Sequence, residues 1–183
     1  REIGMIDMMV DMLDVDQMTV LPRGGAKLRE QEMGIIKVLH HDRLVDPVFR
    51  ETTEWLLSQI DTLTPELGVC VRATHRQISR EIRMPESLVR AHAQAASHAT
   101  AAWSEAKKGD GDFSLFAPAL KELVERSREL GAAVSNTGNP YDGLLDGREP
   151  GLTGERALDL CASYYSRIKP LLSCVMAKER PDT

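Results

Sequence analysis

The sequence predicts an all-α protein, a multi-helix and mainly antiparallel array interrupted by one long structured loop at about residues 131–152. Three observations carry this. Apolar residues recur at intervals of three and four along most of the chain, no stretch of four or more residues alternates apolar with polar, and proline-based start signals punctuate the periodic segments. With 183 residues and 42% hydrophobic residues, the chain can build a single core, so one helical domain over 1–183 is expected.

The elements follow in order. Residues 2–14 place Met5, Met8, Met9, Met12 and Leu13 on one side at helical spacing, a stripe expected to pack as core. Pro22, Gly24 and Gly25 break that helix, and a second runs from Ala26 to about His40 with Leu28, Ile35, Ile36 and Leu39 on its apolar face. Asp46-Pro47 pairs an N-cap with a proline at the first helical position, and Phe49, Thr53, Leu56 and Ile60 continue a 4-3-4 seam. Thr64-Pro65 repeats the signal. It opens a helix to about Arg83 with Leu67, Val71, Thr74, Ile78 and Ile82 on one face and Arg72, Arg76, Arg80 and Arg83 roughly opposite.

Met84-Pro85 disfavours a continuous helix and starts a new one, Glu86 to Lys108. Its seam of Leu88, His92, Ala95, Ala99, Ala102 and Ala106 is mostly alanine, which lets neighbouring helices approach closely. Gly109-Asp110-Gly111 is expected to end it. Asp112 or Ser114 can cap the following helix, where Phe116, Leu120, Leu123, Val124 and Leu130 form a stripe, Pro118 falls in the first turn and Gly131 stops the chain. After the loop, Thr153 caps a last helix with Ala157, Cys161, Tyr164, Ile168, Leu171 and Val175 as its seam and a kink expected near Ser166 from Pro170. The tail Lys178–Thr183 offers no closing element, as expected of a chain cut in mid-fold.

Charge and cysteines narrow the partners. A net charge of −5 gives no general attraction to nucleic acid or to an anionic membrane. No apolar run is long enough to span a bilayer, and the opening residues carry two acids where a secretory signal would be basic and apolar. Cys70, Cys161 and Cys174 are odd in number and widely spaced, two of them on expected buried faces, a pattern of free thiols in a cytoplasmic protein.

Candidate site residues are few. Adjacent histidines on a helix diverge by about 100°, so His40, His41 and Asp42 read as a solvated helix end rather than a metal site. His92 and His98 are six apart, wrong for two ligands on one face, and His92 on an alanine seam reads as a hydrogen-bonded core histidine. The stripe of Arg72, Arg76, Arg80 and Arg83 could hold a carboxylate bidentately, although the chain's many acids can equally pair with it. In the loop, Asp142 and Asp146 beside Tyr141 could present two carboxylates on one face of a short helix or cap turns through backbone N–H groups. Asp16 and Gln17 form a similar polar pair beside a turn, able to line a cleft or to buttress it.

Tyr141-Asp142, Leu144-Leu145-Asp146 and Glu149-Pro150-Gly151 stand in the order Y-D-x-L-L-D-x-x-E-P-G, which resembles a segment of the carboxypeptidase Taq family of metallocarboxypeptidases, peptidase family M32. Asp16-Gln17 with Pro22 and Gly24, and Trp103, Phe113, Phe116, Pro118 and Leu120, resemble further segments of that family in the same order, from about Met8 to Val175. Val15, Met18, Leu21 and the pair Gly147-Arg148 depart from its usual residues. The resemblance implies a peptide substrate hydrolysed from its C-terminus and one divalent metal, zinc or cobalt, held by a His-Glu-x-x-His helix and a later glutamate. None of the five histidines here precedes a glutamate. The expectation is therefore the N-terminal part of a larger metallocarboxypeptidase, with the catalytic part and the metal site outside this chain. Its partners would be that missing portion, the peptide whose channel it helps wall, and a second copy in a homodimer. The alternative is a non-enzymatic dimerisation or protein-binding module derived from the same family.

Overall fold

The computed structural model describes residues 2–108 and 111–177, and everything it describes is helix, turn or irregular chain, with no strand. Eight α-helices are formed among the described residues: α1 (Glu2–Thr19), α2 (Ala26–Val45), α3 (Pro47–Ser58), α4 (Pro65–Glu81), α5 (Glu86–Ala106), α6 (Phe113–Val134), α7 (Pro140–Asp146) and α8 (Gly154–Met176). The all-α expectation holds. The turn expected at Gly109-Asp110 and the tail Lys178–Thr183 lie outside the described residues.

Start signals work locally as their chemistry requires. Asp46 accepts the Phe49 N–H at 3.0 Å, with Pro47 as the first helical residue of α3. Thr64 caps α4 and Thr153 caps α8 in the same way, each with a side-chain oxygen on a backbone N–H of the first turn. Asp112 rather than Ser114 caps α6, accepting the Ser114 N–H at 2.9 Å.

Packing centres on α2 and α5, with α1 beside α2, α6 beside α5, and the α3–α4 pair resting on α2. The small residues of α5 account for its central place: Ala93, Ala95, Ser97, Ala99 and Ala106 are all buried. Leu44, Ile78 and Val134 are the largest side chains wholly removed from solvent. The α7 helix packs on α6, while α8 touches the body through α7.

Several sequence expectations are corrected here. The methionine stripe of α1 is exposed at Met5, Met8, Met9 and Met12, and the helix buries Ile6 and Val10 instead. On α2, Leu28, Ile35 and Leu39 face solvent while Arg29, Met33, Val38, His41 and Leu44 are buried, because the apolar residues occupy two sides and α5 takes the other one. His41 is no solvated helix end: its Nδ1 lies 2.8 Å from Glu81 Oε2, both side chains largely buried. Gly131 does not stop α6, which runs on to Val134. The loop at 131–152 contains α7, leaving 135–139 and 147–153 irregular. Pro118 is the sixth residue of α6, beyond its first turn. All three cysteines are exposed.

Candidate functional site

Two polar constellations involve the residues singled out by sequence. The first ties the end of α1 to α2 and α5. Gln17 Nε2 donates to the Ser97 carbonyl at 2.8 Å, and Ser97 Oγ donates back to Gln17 Oε1 at 3.1 Å, so both ends of one amide engage one residue of α5. Asp16 accepts from Arg29 Nη2 at 2.6 Å. The Arg29 side chain is 8% exposed, and its other nitrogens reach Glu32 and the Leu13 carbonyl. A guanidinium so deeply placed needs acceptors around it, and each of its three nitrogens finds one here.

Gln17 also borders a cleft of about 340 Å³ between α1, α2 and α5, with α4 and α6 at its edge, lined among others by Asp14, Lys37, His40, Glu81 and His92. His92 Nε2 is 3.3 Å from Ser127 Oγ. Burial holds the His92 imidazolium below its usual range, and the nearby positive charge of Lys37 adds to the effect. His40 Nε2 is 3.1 Å from Asp7 Oδ1 but off the line of a hydrogen bond.

The second constellation joins α4 to α7. Arg76 Nη2 lies 2.5 Å from Asp146 Oδ1 and Arg80 Nη1 lies 3.0 Å from Asp146 Oδ2. Arg76 also donates to the Asp146 carbonyl and Arg80 to the Gly143 carbonyl, each at 3.1 Å. Arg83 donates to Asn136 Oδ1 at 2.8 Å. Arg72 is exposed and makes no ion pair among the described residues. Thus two of the four stripe arginines already grip a carboxylate, one supplied by the chain itself.

The acids of α7 turn the other way as well. Asp146 Oδ1 accepts the Gly151 N–H at 2.9 Å. That backbone bond is the largest influence holding the Asp146 carboxyl below its ordinary value, with Arg76 and Arg80 adding to it against the cost of burial. Asp142 accepts the Thr137 hydroxyl at 2.6 Å and the Gly154 N–H at 2.7 Å, and these two bonds lower its pKa in that order. Tyr141 is exposed at its edge, yet its ring lies against Gly154.

Sequence reasoning missed Arg29, Ser97 and the His41–Glu81 pair. Glu32, three residues after Arg29, was the one local signal for the first. The others join positions too far apart in sequence to signal each other.

Among the described residues, no three His, Cys, Asp or Glu side chains converge on a point that could hold a metal ion. Three of the five histidines face separate acids, His40 with Asp7, His41 with Glu81 and His98 with Glu122. No helix among those residues is long and apolar enough to cross a membrane.

Comparison with known proteins gives a consistent result. The family model of the carboxypeptidase Taq (M32) metallopeptidases matches residues 1–183. Thermostable carboxypeptidase 1 of Thermus thermophilus is 33% identical over 180 residues, covering 92% of this chain and 35% of the relative. Carboxypeptidase 1 of Bacillus subtilis is 30% identical over 180 residues, covering 95% and 35%. Among solved structures, the BsuCP crystal structure superposes with a TM-score of 0.88 at 28% identity, over 100% of this chain and 37% of that one. Pyrococcus furiosus carboxypeptidase does so with 0.72 at 29%, over 97% and 35%. The chain therefore spans about 35% of the length of the curated relatives it matches. The metal implied by the family's description finds no fitting donor set among the described residues.

Proposed function

This chain belongs to the carboxypeptidase Taq (M32) metallopeptidase family, and from that premise we propose that it is the N-terminal helical region of a metal-dependent carboxypeptidase. The enzyme's substrate is a peptide shortened from its C-terminus. These helices form one wall of the channel that receives it, and they are inactive alone. One observation carries the reading: the chain matches carboxypeptidases along nearly its whole length while accounting for 35% of theirs. The separate pairing of three of its five histidines is in keeping with a metal and hydrolytic groups elsewhere in the enzyme. Asp16 and Gln17 buttress the wall through Arg29 and Ser97, and Tyr141, Asp142 and Asp146 structure its connecting loop. The three free thiols favour a reducing compartment, the cytoplasm.

The test has two arms. The chain supplied with zinc or cobalt releases no C-terminal residue from a blocked peptide, whereas the same residues grafted into Bacillus subtilis carboxypeptidase 1, in place of its matching stretch, leave that enzyme active. Metal-dependent hydrolysis by the chain alone, or a folded graft that is dead, overturns the proposal. A second reading, a dimerisation or protein-binding module, is favoured by the exposed apolar residues of α8. In a stable module those faces would be satisfied by a second copy.

A further inference from the structure

The α8 helix poses a mechanical question. From Leu158 to Met176 every one of its residues is exposed, and the helix meets the body through α7. Its own packing cannot set the direction in which it leaves. Something at its base must.

That base is built from four charged side chains. The carboxylates of Asp142 and Asp146 project from one short helix and reach forward, Asp146 to the Gly151 N–H at 2.9 Å and Asp142 to the Gly154 N–H at 2.7 Å. These bonds bracket the turn before α8 and its first residue. Behind them, Asp146 is gripped by Arg76 and Arg80 of α4. The Arg80 and Asp146 side chains are 16% and 14% exposed, so solvent screens that pair far less than a surface one. The α7 helix cannot slide either: a Cβ at Gly131 would overlap the Pro140 carbonyl oxygen, and one at Gly143 would overlap the Gly131 carbonyl oxygen, so α6 and α7 meet backbone to backbone. Gly151 turns the chain with φ at +80°, where a glycine is favoured.

We propose that Asp146, held by Arg76 and Arg80, and Asp142 beside it are positioning residues that form a charged elbow fixing the angle at which α8 leaves the helical body. The α8 helix is the lever of this elbow. From Gly154 to Cys174 it extends about 30 Å at 1.5 Å per residue, so a tilt of about 20° displaces its far end by about 10 Å. Whatever packs along α8 is thereby placed relative to α4 and α6. Under the proposed function, that is the remainder of the enzyme. The elbow itself stands or falls without that reading, because its test involves no catalysis.

The chain carries the probes it needs. Cys70 on α4 and Cys174 on α8 are exposed, and with Cys161→Ser they take a pair of nitroxide spin labels. Labelled chain is diluted into unlabelled chain, and the distance distribution between the labels is measured by pulsed electron resonance. The unaltered elbow gives one narrow distribution. Asp146→Ala removes the ion pairs and the Gly151 acceptor together and broadens the distribution at least twofold, with helix content unchanged by circular dichroism. Asp146→Asn keeps an oxygen for Gly151 and loses the charge, and its width falls between the two. Should Asp146→Ala fail to fold, the double variant Arg76→Gln, Arg80→Gln leaves α7 and its acceptors intact and gives the intermediate width, since only the ion pairs are lost. A width unchanged in the folded variants, or a broad distribution in the parent chain, overturns the elbow. Neither result touches the carboxypeptidase assignment, which the graft decides.

Discussion

At the scale of single residues, the sharpest consequences come from atoms with no room to move. A methyl group at Gly143 would overlap the Gly131 carbonyl oxygen and press on the Ser135 backbone nitrogen. Neither is a flexible side-chain end. Gly143→Ala is therefore expected to destabilise the chain by about 2 kcal/mol or more, the cost of forcing two backbones apart. Gly24→Ala, which meets nothing within 4 Å, stays within about 0.5 kcal/mol of the parent. Urea unfolding midpoints of the two variants make the comparison. The histidine at 92 supplies a pH signature. Burial first, and the charge on Lys37 second, hold its folded pKa below the ordinary value of about 6.5. The unfolded chain then binds the proton more readily, so the stability present above about pH 6.5 is lost as the pH falls through the depressed folded value. His92→Gln should flatten this part of the curve, read as the shift in urea midpoint between pH 7 and pH 5. An equal shift in both proteins would show that His92 is not its source.

At the scale of elements, α5 and α8 are opposites with nearly the same length and similar sequence periodicity. The seam of α5 is buried at Ala95, Ala99 and Ala106, whereas that of α8 is exposed at Cys161, Tyr164, Ile168, Leu171 and Val175. A helix whose apolar stripe has no partner is held by propensity, its cap and its anchored base alone, so it opens locally more often than a packed helix while remaining helical on average. Amides of α8 beyond its first turn are accordingly expected to exchange with solvent at least a hundredfold faster than those of α5, in a hydrogen-exchange time course at neutral pH. Equal protection would mean that another surface covers α8. The same contrast explains what could be read in advance. Periodicity and caps located α3, α4 and α5 because those signals are local. For α1, α2 and α8 the helices were legible but their buried faces were not, since burial depends on a neighbour. Met5, Met8, Met9 and Met12 form as coherent a stripe as any core seam, yet α2 packs on Ile6 and Val10. The α7 helix could have been found, because Asn139-Pro140 repeats the cap-and-proline signal of Asp46-Pro47. Gly131 misled because a glycine that ends a helix and one that admits a neighbouring backbone look alike in sequence. The grip of Arg76 and Arg80 on Asp146 joins positions 70 and 66 residues apart, beyond any spacing rule.

At the scale of the whole molecule, the exposed apolar residues of α1 and α8 decide the solution behaviour. Met5, Met8, Met9, Met12, Val15, Met18 and Val20 are exposed on or just after α1, and Leu158, Leu160, Tyr164, Tyr165, Leu171, Leu172, Val175 and Met176 on α8. Apolar surface presented this continuously is uncommon on a monomer and marks a contact. The described chain is thus expected to self-associate, with apparent mass rising with concentration in light scattering. Leu171 and Val175 are the informative pair: both are 65% exposed, and they lie one helical turn apart. Replacing both with glutamine removes no contact from the helical body. The variant should therefore fold like its parent while associating at least about tenfold more weakly, given roughly 1.5–3 kcal/mol for each such side chain fully buried. Because α8 is held by its elbow rather than by its own face, weakening association at its tip should leave the unfolding midpoint of α1–α7 unchanged. A parent chain that remains monomeric at every concentration would remove the case for α8 as a contact between two copies.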